Sequence, residues 1–127
     1  MNINELDKSI YDKFIKENSG VGKLKIRAYA ASEALPVSGL NIIISTIIEN
    51  SEVIFFRGKT DSSGMIPSIS LPAPKLEINN LEIPKTITYN ITSYMDINNK
   101  SMFNVNMYDG ICVVQNINFV PGGNYGN

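Results

Sequence analysis

Near the N-terminus, the apolar residues follow a helical spacing. Leu6, Ile10 and Phe14 recur at four-residue steps, and charged side chains fill most of the positions between them. This spacing predicts an amphipathic α-helix over residues 4–19, with Asn4 as its N-cap. Because a helix of this length is marginally stable alone, its apolar stripe must dock, either on its own domain or on a partner.

From residue 20 to residue 121, apolar and polar residues instead alternate, which is the spacing of half-buried β-strands. The first such stretch places Leu24, Ile26 and Ala28 on one face. Turn residues recur about every ten positions between the alternating stretches. The chain therefore predicts an all-β fold, a seven-stranded antiparallel β-sandwich in one domain, followed by a flexible tail over residues 122–127.

A turn in the middle of the chain has a defined physical cause. The carboxylate of Asp61 can accept a hydrogen bond from a nearby backbone amide, and Gly64 can adopt the positive φ that such a turn requires. The short strand that follows contains Pro67 and is therefore predicted at a sheet edge. Pro72 and Pro74 are expected to end that strand, because neither has a backbone N–H to donate.

Composition and charge narrow the functions expected of this sandwich. The 127 residues carry 11 basic and 12 acidic side chains, a net charge of −1, which argues against nucleic-acid binding. Histidine, the commonest general base and zinc ligand, is absent, and a single cysteine excludes a disulfide within the chain. Cys112, between Ile111 and Val113, is expected to be a buried thiol. From these counts we expect no metal, no cofactor and no enzymatic activity.

The ends of the chain and its apolar runs bear on localisation. The N-terminus lacks the basic and apolar regions of a secretory signal. The longest apolar run also falls well short of the roughly 20 residues that span a bilayer. We therefore expect a cytoplasmic protein without a membrane span.

Exposed tyrosines are the best candidates for a binding surface, because aromatic faces stack on sugar rings. Tyr29 belongs to the outward face of its predicted strand, and Tyr108 belongs to a turn. These two side chains are therefore the candidate ligand-binding residues of the sandwich.

Several of these segments together resemble a known family. They are Gly22-Lys23-Leu24-Lys25-Ile26, Leu35-Pro36-Val37-Ser38-Gly39, Thr60-Asp61-Ser62-Ser63-Gly64, Leu71-Pro72-Ala73-Pro74 and Thr88-Tyr89-Asn90-Ile91. The pattern resembles the carboxypeptidase-regulatory-like, or transthyretin-like, β-sandwich found in clostridial peptidoglycan-binding proteins and at the N-terminus of spore cortex-lytic enzymes. The resemblance implies a non-enzymatic accessory or interaction protein of the spore or cell envelope of a clostridial-type bacterium, with no catalytic residue carried over.

Three kinds of partner stay open at this point. A protein partner could dock on the stripe of Leu6, Ile10 and Phe14. A peptidoglycan-like glycan could bind through Tyr29 or Tyr108, as in a carbohydrate-binding module. Copies of the chain could also self-assemble into a homo-oligomer through the helix or the predicted edge strand.

Overall fold

The structure is a computed structural model that describes residues 1–31, 34–77 and 85–120. The tail predicted over residues 122–127 lies outside these ranges. A short 3-10 helix, Ile3–Glu5, precedes one α-helix, α1, Lys8–Glu17. The strands are β1 (Gly20–Ala30), β2 (Leu35–Pro36), β3 (Asn41–Ile48), β4 (Ser51–Lys59), β5 (Met65–Ala73), β6 (Ile87–Tyr94), β7 (Ser101–Met107) and β8 (Cys112–Asn118).

The strands form two sheets that enclose the core. One sheet is built around β1, which pairs antiparallel with β2 and β5 and parallel with β8. The other has the order β4-β3-β6-β7, with every pair antiparallel. The β-sandwich is confirmed, but the prediction of seven antiparallel strands is wrong in two details. The two-residue β2 raises the count to eight in the described residues. β8 also runs parallel to β1, which the sequence pattern cannot reveal because alternation has the same period in both pairings.

One buried cluster fills the space between the two sheets. Leu24 and Ile26 of β1 meet Ile42 and Ile44 of β3 there, and all four side chains are fully buried. Burial of every second residue is what a pleated strand imposes. Tyr89 of β6 is also fully buried, and its hydroxyl donates a hydrogen bond to the backbone oxygen of Pro72 at 2.5 Å. This bond links the two sheets through the core.

A β-bulge in β4 turns two adjacent aromatic side chains toward the interior. The register between β3 and β4 shifts so that Phe55 has no partner residue on β3. Phe56 then packs against the main core. The ring of Phe55 lies 5.6 Å, centre to centre, from the rings of both Tyr89 and Phe14. The bulge therefore joins the main core to the cluster beneath α1.

The α-helix begins later than the sequence predicts. Its N-cap is Asp7, whose carboxylate accepts a hydrogen bond from the Ser9 backbone amide at 2.8 Å. Asn4 instead lies within the 3-10 helix. The residues before this helix extend along the edge of β4, where the Ile54 amide donates to the Met1 carbonyl oxygen at 2.7 Å. The N-terminal segment is thus held to the second sheet before α1 starts.

The apolar stripe of α1 packs against its own sandwich. Phe14 is 8% exposed and contacts a small buried cluster formed by Ile48 and Val53, beside the β3–β4 hairpin. Leu6 and Ile10 are half-buried against the same cluster. Of the two docking alternatives, the structure therefore has the helix docked on its own domain.

The turn before β5 is organised by its aspartate and its glycine. The Asp61 carboxylate accepts hydrogen bonds from the backbone amides of Ser63 at 2.8 Å and Met65 at 3.0 Å. Gly64 has a φ of +75°, and a Cβ at this position would also clash with the backbone oxygen of Ala28. Both effects restrict this position to glycine.

The edge strand β5 is longer than expected. Among the described strands it pairs only with β1, and Pro67 lies where the register of that pair shifts. The strand does not end at Pro72 but continues to Ala73, and Pro74 follows it. An edge strand tolerates proline because N–H groups on its outer side have no partner strand to bond.

Candidate functional site

The candidate site is a cavity of about 320 Å³ at the end of the sandwich where β1 begins. Small-molecule sites commonly have volumes of about 300–1,000 Å³, so this cavity suits a small ligand or a single side chain. It is lined by Pro74, Leu76, Lys85, Tyr108, Asp109 and Ile111.

Asp109 holds three chain segments together at the rim of this cavity. One carboxylate oxygen accepts a hydrogen bond from the Val21 amide at 3.0 Å, and the other accepts one from the Leu76 amide at 3.0 Å. The start of β1, the chain leaving β5 and the turn between β7 and β8 are thereby joined. The carboxylate packs so closely on β1 that a Cβ at Gly20 would lie 2.5 Å from its Cγ.

These hydrogen bonds also set the charge of Asp109. The pKa of the Asp109 carboxyl is lowered most by the hydrogen bond from the Leu76 amide and next by the one from the Val21 amide. The positive charge of Lys75 lowers this pKa further. The group is therefore an anion at neutral pH that already accepts two hydrogen bonds. Such a carboxylate is a weak general base, so its role at this site is to fix the rim.

The backbone of the turn between β7 and β8 is fixed as well. The Gly110 amide donates to the Val21 carbonyl oxygen at 2.9 Å, and the Lys23 amide donates to the Ile111 carbonyl oxygen at 3.0 Å. Together with the Asp109 carboxylate, these two backbone bonds fasten the turn to β1. Tyr108, which begins this turn, forms part of a wall that is already in place before any ligand arrives.

The cavity combines apolar walls with a cationic side chain. Leu76 and Ile111 are 49% and 50% exposed, an unusual degree of solvent contact for two neighbouring large aliphatic residues. Among the lining residues that the structure describes, Lys85 is the cationic one, and it is exposed. The cavity can therefore enclose an apolar group, and the exposed Lys85 is a cationic residue at its border.

The structure separates the two tyrosines that the sequence nominates. Tyr108 lines the cavity, and its carbonyl oxygen lies next to Gly22. Tyr29 lies seven positions beyond Gly22 along β1, which corresponds to a separation of about 23 Å between these two residues. It is half-buried there, with the Arg27 guanidinium 5.8 Å from its ring centre. Tyr29 and Tyr108 therefore cannot form one stacking surface.

The expected burial of Cys112 is wrong, because its side chain is exposed at the start of β8. Along β8, Ile117 is buried, whereas Val114 is 49% exposed. Apolar residues thus occur on both faces of this strand, and their pattern does not reveal which face is inward.

The described residues carry neither a metal-binding cluster nor a membrane-spanning helix. In the ranges given above, no three His, Cys, Asp or Glu side chains come together as a metal-binding group. Over the same part of the chain, no helix is both long and apolar enough to cross a membrane.

Comparison with known proteins identifies the fold. No family model and no curated protein matches this chain. Among solved structures, the 5-hydroxyisourate hydrolase of Klebsiella pneumoniae matches with a TM-score of 0.56 and 15% sequence identity, over 83% of this chain and 94% of that chain. A likeness at this identity shows the fold alone, which is a transthyretin-like β-sandwich with one N-terminal helix.

This neighbour also corrects one prediction. The expectation of no enzymatic activity, drawn from the missing histidine and from the resemblance to accessory domains, is contradicted by this neighbour, because a protein with the same fold is a hydrolase. The transthyretin-like part of the resemblance is confirmed by the fold.

Proposed function

We propose that this protein binds a small compound with an apolar body and an anionic end in the cavity beside Tyr108. The observation that carries the proposal is an apolar cavity whose rim is already fastened by backbone hydrogen bonds to Asp109. Burial of apolar surface supplies the affinity, and a rim that is ordered before binding reduces the entropic cost.

The anionic end of the ligand is inferred from charge. Lys85 is exposed in the cavity lining, and Lys75 is close enough to act on Asp109. Both carboxylate oxygens of Asp109 already accept hydrogen bonds, so its charge is partly compensated by the chain itself. A ligand carboxylate next to the Lys85 ammonium would gain a charge-assisted hydrogen bond.

The test is an NMR titration of the full chain with three matched probes: 3-phenylpropionate, 3-phenylpropanol and acetate. The first has both features, and each of the others lacks one. We expect 3-phenylpropionate to bind tightest and to shift the amide signals of Leu76 and Ile111. Tyr108→Ala should weaken it at least tenfold, about 1.4 kcal/mol, while Tyr29→Ala should leave it unchanged. Lys85→Gln should weaken the acid but not the alcohol.

Two results would overturn this proposal. One is equal loss of binding in Tyr108→Ala and Tyr29→Ala. The other is a set of shifted amide signals away from the cavity. The amide spectrum of each variant without probe shows whether the sandwich is still folded, so a misfolded variant is not mistaken for a loss of binding.

Hydrolysis of a small molecule in the same cavity is the second candidate, favoured by the fold likeness to a hydrolase. Its test is incubation of the full chain with 5-hydroxyisourate. If the protein consumes 5-hydroxyisourate faster than buffer alone, and Tyr108→Ala loses this activity while Tyr29→Ala keeps it, the activity belongs to the cavity. A rate equal to that without protein would remove this substrate.

Association with the spore or cell envelope is proposed on the resemblance of the Leu71–Pro74 and Thr88–Ile91 segments to clostridial envelope proteins. Fractionation of the producing bacterium tests it. We expect the protein in the spore or envelope fraction, and its confinement to the soluble fraction at every stage of growth would contradict the proposal.

A further inference from the structure

A second candidate surface lies on the outer face of the sheet formed by β4, β3, β6 and β7. Three cations gather at one end of this face. Arg57 and Lys59 are two positions apart on β4, so their side chains point the same way. Lys100, just before β7, holds its ammonium 5.2 Å from the ring centre of Tyr94. Within residues 1–31, 34–77 and 85–120, none of these three cations forms an ion pair.

Two of these cations, Arg57 and Lys59, line a recess of about 270 Å³ together with Asn41 and Tyr94. Lys100 is placed near this recess by its contact with the Tyr94 ring. Asn41 pairs with Lys59 on one side and with Tyr94 on the other, so these residues form a row across the sheet. The Asn41 side-chain amide donates to the Tyr94 carbonyl oxygen at 3.1 Å, which fixes its orientation. Unpaired cations held on ordered strands suit an oxyanion.

A second groove, whose walls are mostly apolar, lies on the same face of the sheet. Its volume is about 450 Å³, and its lining includes Asn90, Asn104 and Thr88 together with Met102 and Ile47. Asn90 and Asn104 face each other on β6 and β7. Their side-chain amides have no hydrogen-bond partner among the described residues, so each can donate to and accept from a ligand hydroxyl. Met102 and Ile47 are 63% and 64% exposed and offer apolar contacts beside these amides.

The far end of the groove carries the opposite charge. Glu52 lies there and accepts a hydrogen bond from the Ser45 hydroxyl at 3.2 Å. It is five positions from Arg57 on β4, a separation of about 16 Å. The Met1 ammonium donates a hydrogen bond to the Glu52 carbonyl oxygen at 2.6 Å and partly offsets the charge of this carboxylate. The excess of positive charge therefore lies at the Arg57 end, where a bound anion is favoured.

We infer that this outer face binds an acidic oligosaccharide. Its anionic group would lie against Arg57, Lys59 and Lys100, and its neutral hydroxyl groups would bond the amides of Asn90 and Asn104. Three cations are too few for a polyphosphate backbone, and net charge −1 gives no long-range attraction to one. A peptide strand would add to a sheet edge, whereas these groups lie on a sheet face.

The experiment is a titration of the full chain with a trimer of galacturonic acid and, as matched neutral probe, a trimer of galactose. We expect the acidic trimer to bind at least tenfold tighter, to shift amide signals near both Arg57 and Asn104, and to weaken as salt rises. Arg57→Gln should reduce its affinity about tenfold, a change of about 1.4 kcal/mol. Arg27→Gln is the matched control, because Arg27 also lies on a strand beside a tyrosine, on the other sheet.

Five outcomes would overturn the inference: loss of trimer binding in Tyr108→Ala, no binding, equal affinity for both trimers, equal losses in Arg57→Gln and Arg27→Gln, and inorganic phosphate that competes as well as the acidic trimer. The last would mean that the face recognises an anion without its sugar. Tyr108→Ala separates this surface from the end cavity, since it should leave trimer binding intact. Loss of trimer binding in Tyr108→Ala would place the trimer in the cavity instead.

Discussion

Replacement of Phe14 by alanine tests how α1 is held on the sandwich. The Phe14 side chain is 8% exposed and packs with Ile48, Val53 and the ring of Phe55. Truncation of a buried phenylalanine costs about 3–5 kcal/mol. We expect about 3 kcal/mol here, because the half-buried neighbours at the rim of this cluster can move into the space. For a chain of 127 residues, this loss lowers Tm by about 10 °C.

Urea unfolding followed by circular dichroism measures this loss. The matched control is Lys13→Ala on the same helix, which should change the free energy of unfolding by less than about 0.5 kcal/mol. A loss below about 1 kcal/mol for Phe14→Ala would refute docking on its own sandwich. Light scattering of the full chain and of a chain starting at residue 20 gives an independent reading. Assembly of the full chain, lost on truncation, would mean that the stripe docks on a neighbouring copy.

Three further substitutions test the core and the turns. Tyr89→Phe removes the hydrogen bond to Pro72 and should cost about 1 kcal/mol. Burial raises the pKa of Tyr89, so as the pH rises the phenol loses its proton in the unfolded chain before it does so in the folded one. Above about pH 10, the natural protein should therefore lose stability more steeply than Tyr89→Phe. The pKa of the Asp109 carboxyl is lower in the folded than in the unfolded chain. The ionised carboxylate therefore stabilises the fold above the ordinary aspartate pKa of about 4, and this stabilisation is lost in acid. Asp109→Asn should therefore lower the urea midpoint at pH 7 and flatten the loss of stability below pH about 4. Gly64→Ala forces a positive φ on alanine against the carbonyl of Ala28 and should cost more than about 1 kcal/mol.

Unfolding curves across pH check all three. Identical alkaline profiles for the natural chain and Tyr89→Phe would contradict the raised pKa of Tyr89. An unchanged acid profile in Asp109→Asn would contradict the lowered pKa of Asp109. A Gly64→Ala variant as stable as the natural chain would show that the turn can move away from its neighbouring strand.

The sequence predicts local elements well where one face of a strand is buried. Leu24, Ile26 and Ala28 alternate with charged residues, and all three are buried between the sheets. The spacing of Leu6, Ile10 and Phe14 likewise predicts the docked face of the helix, because only one side of α1 meets the sandwich.

Features that depend on distant segments could not be predicted from the pattern. The parallel pairing of β1 with β8 joins strands from opposite ends of the chain, and alternation alone does not give strand direction. The bulge at Phe55 depends on the register of a neighbouring strand. The bonds from Val21 and Leu76 to Asp109, which fix the cavity, join segments far apart in the chain and exist only in the folded sandwich.

The measurement that tests the cavity most directly is a set of intermolecular NOEs between 3-phenylpropionate and the full chain. We expect NOEs from the probe ring to the Tyr108 ring and to the methyl groups of Leu76 and Ile111, with the probe carboxylate oriented toward Lys85. NOEs to Tyr29, or the absence of any NOE at concentrations where the probe binds, would contradict it.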